Sequence, residues 1–178
     1  MSDRERLKQA VCDAVDRHRD RVVGVGEAIM DEPELGFKEM KTAQRVQVVF
    51  AEAGLPTEAG LALTGVRAVL KGNRPGPTVA LMGELDALIV PDHPRCDPQT
   101  GAAHACGHNA QIAGLMGSAL GLVEAGVADE LAGTVVFFAV PAEEYVEIEY
   151  RLGLTKEGQT TFLAGKPELV QLGAFDDI

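Results

Sequence analysis

T-V-A-L-M-G-E-L-D, Thr78 to Asp86, and T-V-V-F-F-A-V-P-A-E-E, Thr134 to Glu144, are two apolar runs that each lead into a pair of acids. Thr78 to Met82 and Thr134 to Val140 have the unbroken apolar character of strands covered on both faces, as in a parallel sheet between helices. Between them a helical pattern begins near Cys106 to Asn109 and carries Ile112, Leu115, Ala119 and Val123 inward. Strand, helix, strand in that order reads as an α/β unit. In open α/β sheets the carboxyl ends of the strands and the adjoining helix starts form one rim, where ligands collect. Glu84 with Asp86, Cys106 with His108, and Glu143 with Glu144 would all share it.

Working outward, Ser2 and Glu5 form a capping-box pattern, and Leu7, Val11, Val15, Val22, Val25 and Ile29 predict one long first helix. Pro33 and Gly36 break it, and Ala43, Val46, Phe50 and Ala53 mark a second helix that stops at Gly54. Gly65 to Leu70 reads as a further strand, separated from Thr78 by the turn residues G-N-R-P-G-P. Ile89 to Ala103 is rich in Pro, Asp and Gly, a loop long enough to suggest a functional role. Gly114, Gly117 and Gly121 predict close backbone packing of the third helix.

The 178 residues suit one domain, and 20 glycines with 4% aromatics and no tryptophan favour strands and helices joined by tight turns. Sixteen Lys and Arg against 27 Asp and Glu give a net charge of -11, which repels phosphate backbones and anionic lipid. Nucleic acid and membrane are therefore not expected partners, and no stretch approaches the ~20 apolar residues of a membrane span. The N-terminus lacks the apolar core of a secretory signal, so the cytoplasm is the expected address. Three cysteines, Cys12, Cys96 and Cys106, make an odd count without repeated spacing, against a disulfide framework.

Cys106 and His108, in H-A-C-G-H-N, stand at a helix start where the dipole favours a thiolate and lowers the thiol's pKa. Thiolate and imidazole suit zinc or a similar transition metal, and the added carboxylates point to an open catalytic site and not a closed structural one. Glu143 and Glu144 are adjacent, and neighbouring side chains on extended backbone point in different directions. One can bind metal while the other takes a proton, the division that metal-assisted hydrolysis requires. His18, His93, Cys96 and His104 are given no ligand role.

G-E-L-D-A-L, H-A-C-G-H-N and P-A-E-E, in that order and with E-P-E-L-G-F upstream, resemble the metal-dependent amidohydrolases and peptidases that include aminoacylases, hippurate hydrolase, auxin-conjugate hydrolases and aminobenzoyl-glutamate hydrolase. The resemblance implies a three-layer, zinc-peptidase-like α/β catalytic domain. It implies two divalent metal ions (zinc, manganese or cobalt) bridged by Cys106, with His108 and Glu144 as terminal ligands. Glu143 would be the general base and Asp86 a supporting carboxylate. The implied reaction is hydrolysis of a small-molecule amide substrate: an N-acyl amino acid, small peptide or similar conjugate.

Departures concern both the site and the length. Glu84 stands where many relatives have Asp, and Asn109 and Gln111 where many have Asp and His, which resembles an aminobenzoyl-glutamate-type sub-branch. The resemblance also implies a further histidine ligand after the Glu pair, an inserted lid domain that often forms a homodimer, and a final histidine. The four histidines here are His18, His93, His104 and His108. Residues 1–178 are accordingly expected to be an N-terminal portion of the catalytic domain, without the lid domain and C-terminal part. The alternative to an active enzyme is a catalytically incompetent truncated fragment with residual metal or partner binding. A structural zinc module is a third reading, disfavoured by the shortage of Cys and His.

Overall fold

The computed structural model describes residues 2–178. In chain order the elements are α1 (Asp3–Arg17), α2 (Arg19–Asp31), α3 (Met40–Glu52), β1 (Thr57–Leu61), β2 (Gly65–Lys71), β3 (Arg74–Glu84), β4 (Leu88–Ile89), β5 (Ala102–Ala103), α4 (His108–Glu124), β6 (Ala132–Val140), α5 (Ile148–Lys156) and α6 (Gly165–Gln171). Ser2 caps α1 as expected, its Oγ accepting the Glu5 N–H at 3.3 Å. The single long first helix is in fact two, because the chain leaves helical geometry at His18. Arg17 and His18 both bind the Glu124 carboxylate at 2.6 Å. That anchor at the end of α4 holds the bend, so α1 and α2 each follow the surface of α4.

Pro33 and Gly36 end α2 as the sequence predicts, and α3 buries Ala43, Val46, Val49 and Phe50 before stopping at Ala53 and Gly54. The main sheet has the order β1-β2-β6-β3, with β2 antiparallel and β3 parallel to β6. Strand β6 inserts between β2 and β3, which corrects the expectation that β3 is covered on both faces. Its position is an edge, and Val79 is 53% and Met82 45% exposed. Strand β6 takes the central place, with Val136 to Val140 fully buried. The predicted turn G-N-R-P-G-P shrinks to Gly72 and Asn73, because Arg74 to Pro77 already run along β6. There Gly76 and Gly133 let the two backbones touch, and a Cβ on either would overlap the other strand. The long loop after Asp86 is tied by a small ladder between β4 and β5.

Helices cover one sheet face, where Val46, Phe50, Ile112 and Met116 pack against Val66 and Phe137. On the other face Leu169 of α6 and Phe175 cover Val136, Phe138 and Val140, with the Phe138 and Phe175 rings 5.2 Å apart. Each fully buried phenylalanine contributes about 1.5–3 kcal/mol relative to exposure. The result is three layers, helix on sheet on helix, as the α/β reading requires. Gly121 and Gly117 do let α4 approach the side chains of Val15 and Val22, whereas Gly114 faces open space and has no packing role. Among the described residues no helix is long and apolar enough to cross a membrane.

Candidate metal centre

Strands β3 and β6 run parallel and end in register, Glu84 opposite Val140, so the acids that follow each strand emerge side by side. The first turn of α4 abuts the end of β3: a Cβ on Gly83 would lie 3.2 Å from Ile112 Cδ1. The two unusual residues of that turn have structural tasks. Gln111 Oε1 accepts the Glu84 N–H at 3.2 Å, and Asn109 donates to the Gly26 carbonyl of α2 at 3.2 Å. The rim inferred from the sequence therefore exists, and it gathers Glu84, Asp86, Cys106, His108, Glu143 and Glu144.

His108 is its centre, 1% exposed. Its Nδ1 lies 2.8 Å from the Asp86 backbone carbonyl, which can only accept, so Nδ1 carries the proton and Nε2 presents the lone pair in the neutral ring. Facing Nε2 are Glu84 at 2.9 Å, Glu144 at 3.8 Å and Glu143 at 4.0 Å. Burial opposes a second proton on this ring. Hydrogen bonding to Asp86 and the charges of Asp86 and Glu84 outweigh it and push the pKa up to about 9.

Cys106 and His108 lie where α4 begins, yet the thiol behaves opposite to the sequence expectation. A hydrogen bond with Glu144 raises its pKa most, followed by slight burial and the charges of Glu144, Glu143 and Glu84. Three nearby carboxylates thus disfavour the thiolate at this exposed position. The adjacent glutamates follow a left-handed residue, Ala142 (φ 48°), and enter different donor clusters, Glu144 with Cys106 and Glu143 with Glu84. Both turn toward His108.

Two sets of donors result, Cys106 with His108 and Glu144, and Glu84 with His108 and Glu143. Within each set the ligand atoms lie within 4.8 Å of one another. Mixed sulfur, nitrogen and oxygen donors with excess negative charge, around an imidazole whose other nitrogen is already held, fit divalent transition-metal ions.

The surrounding shell includes residues that no motif signalled. Asp86 is fully buried; its Oδ2 accepts the Glu144 N–H at 2.9 Å and its Oδ1 has no hydrogen-bond partner among the described residues. Arg151 of α5, also fully buried, brings Nη2 to 4.0 Å from Asp86. Lys166 of α6 pairs with Glu84 and lies 3.7 Å from Glu143. Burial opposes the Lys166 charge, but the hydrogen bond to Glu84 and the surrounding acids raise its pKa. Glu39 is buried and its pKa pushed up to about 7, by desolvation first and by the Asp86 charge, against the Thr64 hydrogen bond. His104 is buried without a partner among the described residues on either ring nitrogen; desolvation, then repulsion from His108, lowers its pKa to about 4. His93 and Cys96 are knitted into their own loop, bonding Arg95 N–H and the Pro91 carbonyl, and join neither donor set.

No family model matches the chain. Over 129 residues it is 35% identical to thermostable carboxypeptidase 2 of Saccharolobus solfataricus, covering 70% of this chain and 32% of the relative. Over 128 residues it is 36% identical to the IAA-amino acid hydrolase ILR1-like 4 of Arabidopsis thaliana, covering 70% and 28%. The fold matches the YXEP protein of Bacillus subtilis, a dinuclear metal-binding peptidase of the M20 family, with a TM-score of 0.72 and 26% identity over 92% of this chain and 42% of that one. The chain thus spans about a third of the length of the curated relatives it matches. In sequence and in fold it is a homologue of the N-terminal part of the metal-dependent amidohydrolase and peptidase family that these proteins represent.

Proposed function

We propose that the chain carries part of the ligand set of a two-metal amidohydrolase centre, as the N-terminal portion of a catalytic domain. The whole protein would hydrolyse an amide bond in an N-acyl amino acid, small peptide or similar conjugate. The observation that carries this reading is the convergence of Glu84, Glu143 and Glu144 on the Nε2 of His108. Cys106, His108 and Glu144 would hold the ions, and zinc, manganese or cobalt suit such donors. Glu84 is a further ligand candidate through its donor set with His108 and Glu143.

Divalent ions held there would supply acidification of water and polarisation of an amide carbonyl. Glu143 would take a proton from water and pass it to the leaving nitrogen, a role supported by its greater exposure, 35% against 18% for Glu144. Asp86 orients the centre: its backbone carbonyl fixes the His108 ring and its carboxylate fixes the Glu144 amide. Three free cysteines agree with a cytoplasmic address, and a homodimer through a lid domain belongs to the same reading of the longer form.

Calorimetric titration with zinc, manganese and cobalt, with elemental analysis of the purified variants, tests the division of labour. Glu144→Gln should lose metal and Glu143→Gln should keep it; equal loss in both overturns these roles, and a folded chain that takes up no metal overturns the centre. A second reading, that these 178 residues alone are catalytically incompetent, is supported by the bare edge of β3 and by a donor set too short to close two sites. Robust hydrolysis of N-acyl amino acids by this chain at saturating metal would sink it.

A further inference from the structure

The backbone that carries the two acids turns through a left-handed residue that is not glycine, the fully buried Ala142. A residue held in that region persists only where its surroundings over-determine it. Glu39 Oε1 accepts the Ala142 N–H at 2.7 Å. On the opposite side, the Ala142 carbonyl accepts from the Gly165 N–H at 3.1 Å and from Arg151 Nη1 at 3.5 Å. Two residues on, the Glu144 N–H is fixed on Asp86.

Glu39 and Arg151 are themselves fully buried, and neither is one of the converging donors. Burying a carboxylate and a guanidinium is expensive, and apolar side chains of similar volume would fill the space at least as stably. The contacts they make are specific instead. Glu39 gives its second oxygen to the Thr64 hydroxyl at 2.6 Å. Arg151 binds the Leu163 carbonyl at 2.8 Å, and its guanidinium lies over the Phe37 ring, 5.5 Å from the centroid. Gly36 leaves the room for this, since a Cβ there would overlap Arg151 Nη2 and lie 2.9 Å from Ala142 Cα. Gly36 and Phe37 thus form a socket for the guanidinium behind the acidic turn.

We propose that Glu39 and Arg151 are positioning residues of the centre, holding Ala142 by its N–H and its carbonyl so that Glu143 and Glu144 stay aimed at His108. The proposal rests on the metal-centre reading of those two acids. Two measurements on the 178-residue chain separate it from that reading: amide hydrogen exchange at Ala142 and Glu144 without metal, and cobalt binding followed by visible absorption. Glu39→Ala should speed exchange at both amides and weaken cobalt binding, each by about tenfold or more. Glu39→Gln keeps a carbonyl oxygen for the Ala142 N–H and should restore both. Thr64→Val removes only the other partner of Glu39, and should lower stability while leaving cobalt affinity as in the wild type. Arg151→Lys keeps the charge beside Asp86 but loses the planar reach to the carbonyls, and serves where Glu39→Ala does not fold; it should also speed Glu144 exchange and alter the cobalt spectrum. Wild-type Glu144 exchange and cobalt spectrum in Glu39→Ala, or in Arg151→Lys where that is the folded variant, overturn the proposal. An equal loss of cobalt affinity in Thr64→Val overturns it too. If the wild-type chain takes up no cobalt, the metal reading falls, and Glu144 exchange in the variants still decides the positioning role.

Discussion

Cys106 and Glu39 show how local charge sets the behaviour of single residues here. The raised thiol pKa means that metal-free Cys106 should alkylate more slowly at neutral pH than a thiol of ordinary pKa, despite its exposure. Bound zinc should slow it further, and Cys106→Ala should cost about tenfold or more in zinc affinity where Cys12→Ala and Cys96→Ala cost little. Alkylation followed by mass spectrometry, with and without zinc, checks this; unprotected Cys106 in a chain holding stoichiometric metal would exclude the thiolate as a ligand. Glu39 makes a prediction about pH. Its folded pKa of about 7 lies above the ordinary 4.5, so its stabilising contribution is complete below pH 4.5 and is lost as pH rises through 7. Relative to Glu39→Gln, the metal-free wild type should therefore lose on the order of 3 kcal/mol between pH 4.5 and 8. His104 acts in the other direction: its contribution is present above pH 6.5 and is lost as pH falls through about 4. It is common to both proteins and cancels in the comparison. Urea melts across that range give the answer, and a pH-independent difference would mean that Glu39 ionises in the fold as readily as in the unfolded chain.

Helix α4 connects the two strands that bear the acids, and its glycines divide by what lies opposite them. A Cβ on Gly121 would meet Val15 Cγ2 at 2.6 Å and the Val11 carbonyl at 3.2 Å, so Gly121→Ala should destabilise by roughly 1–3 kcal/mol. Nothing lies within 4 Å of a Cβ on Gly114, so Gly114→Ala should stabilise by about 0.5–1 kcal/mol through helix propensity alone. Thermal melts of the two single variants should move in opposite directions. The same contrast separates what spacing encodes from what packing sets. Spacing within α4 was enough to assign its inward face, but which of its glycines touches α1 depends on where α1 bends. That bend depends on Glu124, over a hundred residues away from Arg17 and His18.

At the scale of the whole molecule, β3 is an edge whose apolar side chains Val79, Leu81 and Met82 are exposed. An unpaired apolar edge invites pairing with another chain, and a net charge of -11 opposes it only by long-range repulsion that salt screens. The chain should accordingly self-associate as concentration and ionic strength rise. Val79→Lys should return it to monomer while changing folding stability by no more than about 0.5 kcal/mol, as a surface substitution does. Sedimentation velocity at two salt concentrations checks it; a wild-type chain that stays monomeric throughout would show that the edge is already protected.

Sequence alone determined the parts that local rules write: the apolar runs of β6 and β3, a start of α4 near Cys106 to Asn109, the breaks at Pro33 and Gly36, and the placement of three polar pairs at one rim. Each follows from periodicity, from a residue that cannot continue an element, or from the tendency of strand ends in α/β sheets to share a face. Tertiary structure decided what depends on neighbours distant along the chain. Strand order made β3 an edge, although its apolar run resembles that of the buried β6. Glu144, Glu143 and Glu84 around Cys106 reversed the shift expected from a helix start. Glu39, Arg151 and Lys166 carry no motif, and they reach the site only because the loop before α3, helix α5 and helix α6 all close on the turn at Ala142 and the acids beside it. Burial, hydrogen bonding and charge act through space, and the spacing of residues along the chain does not encode those distances.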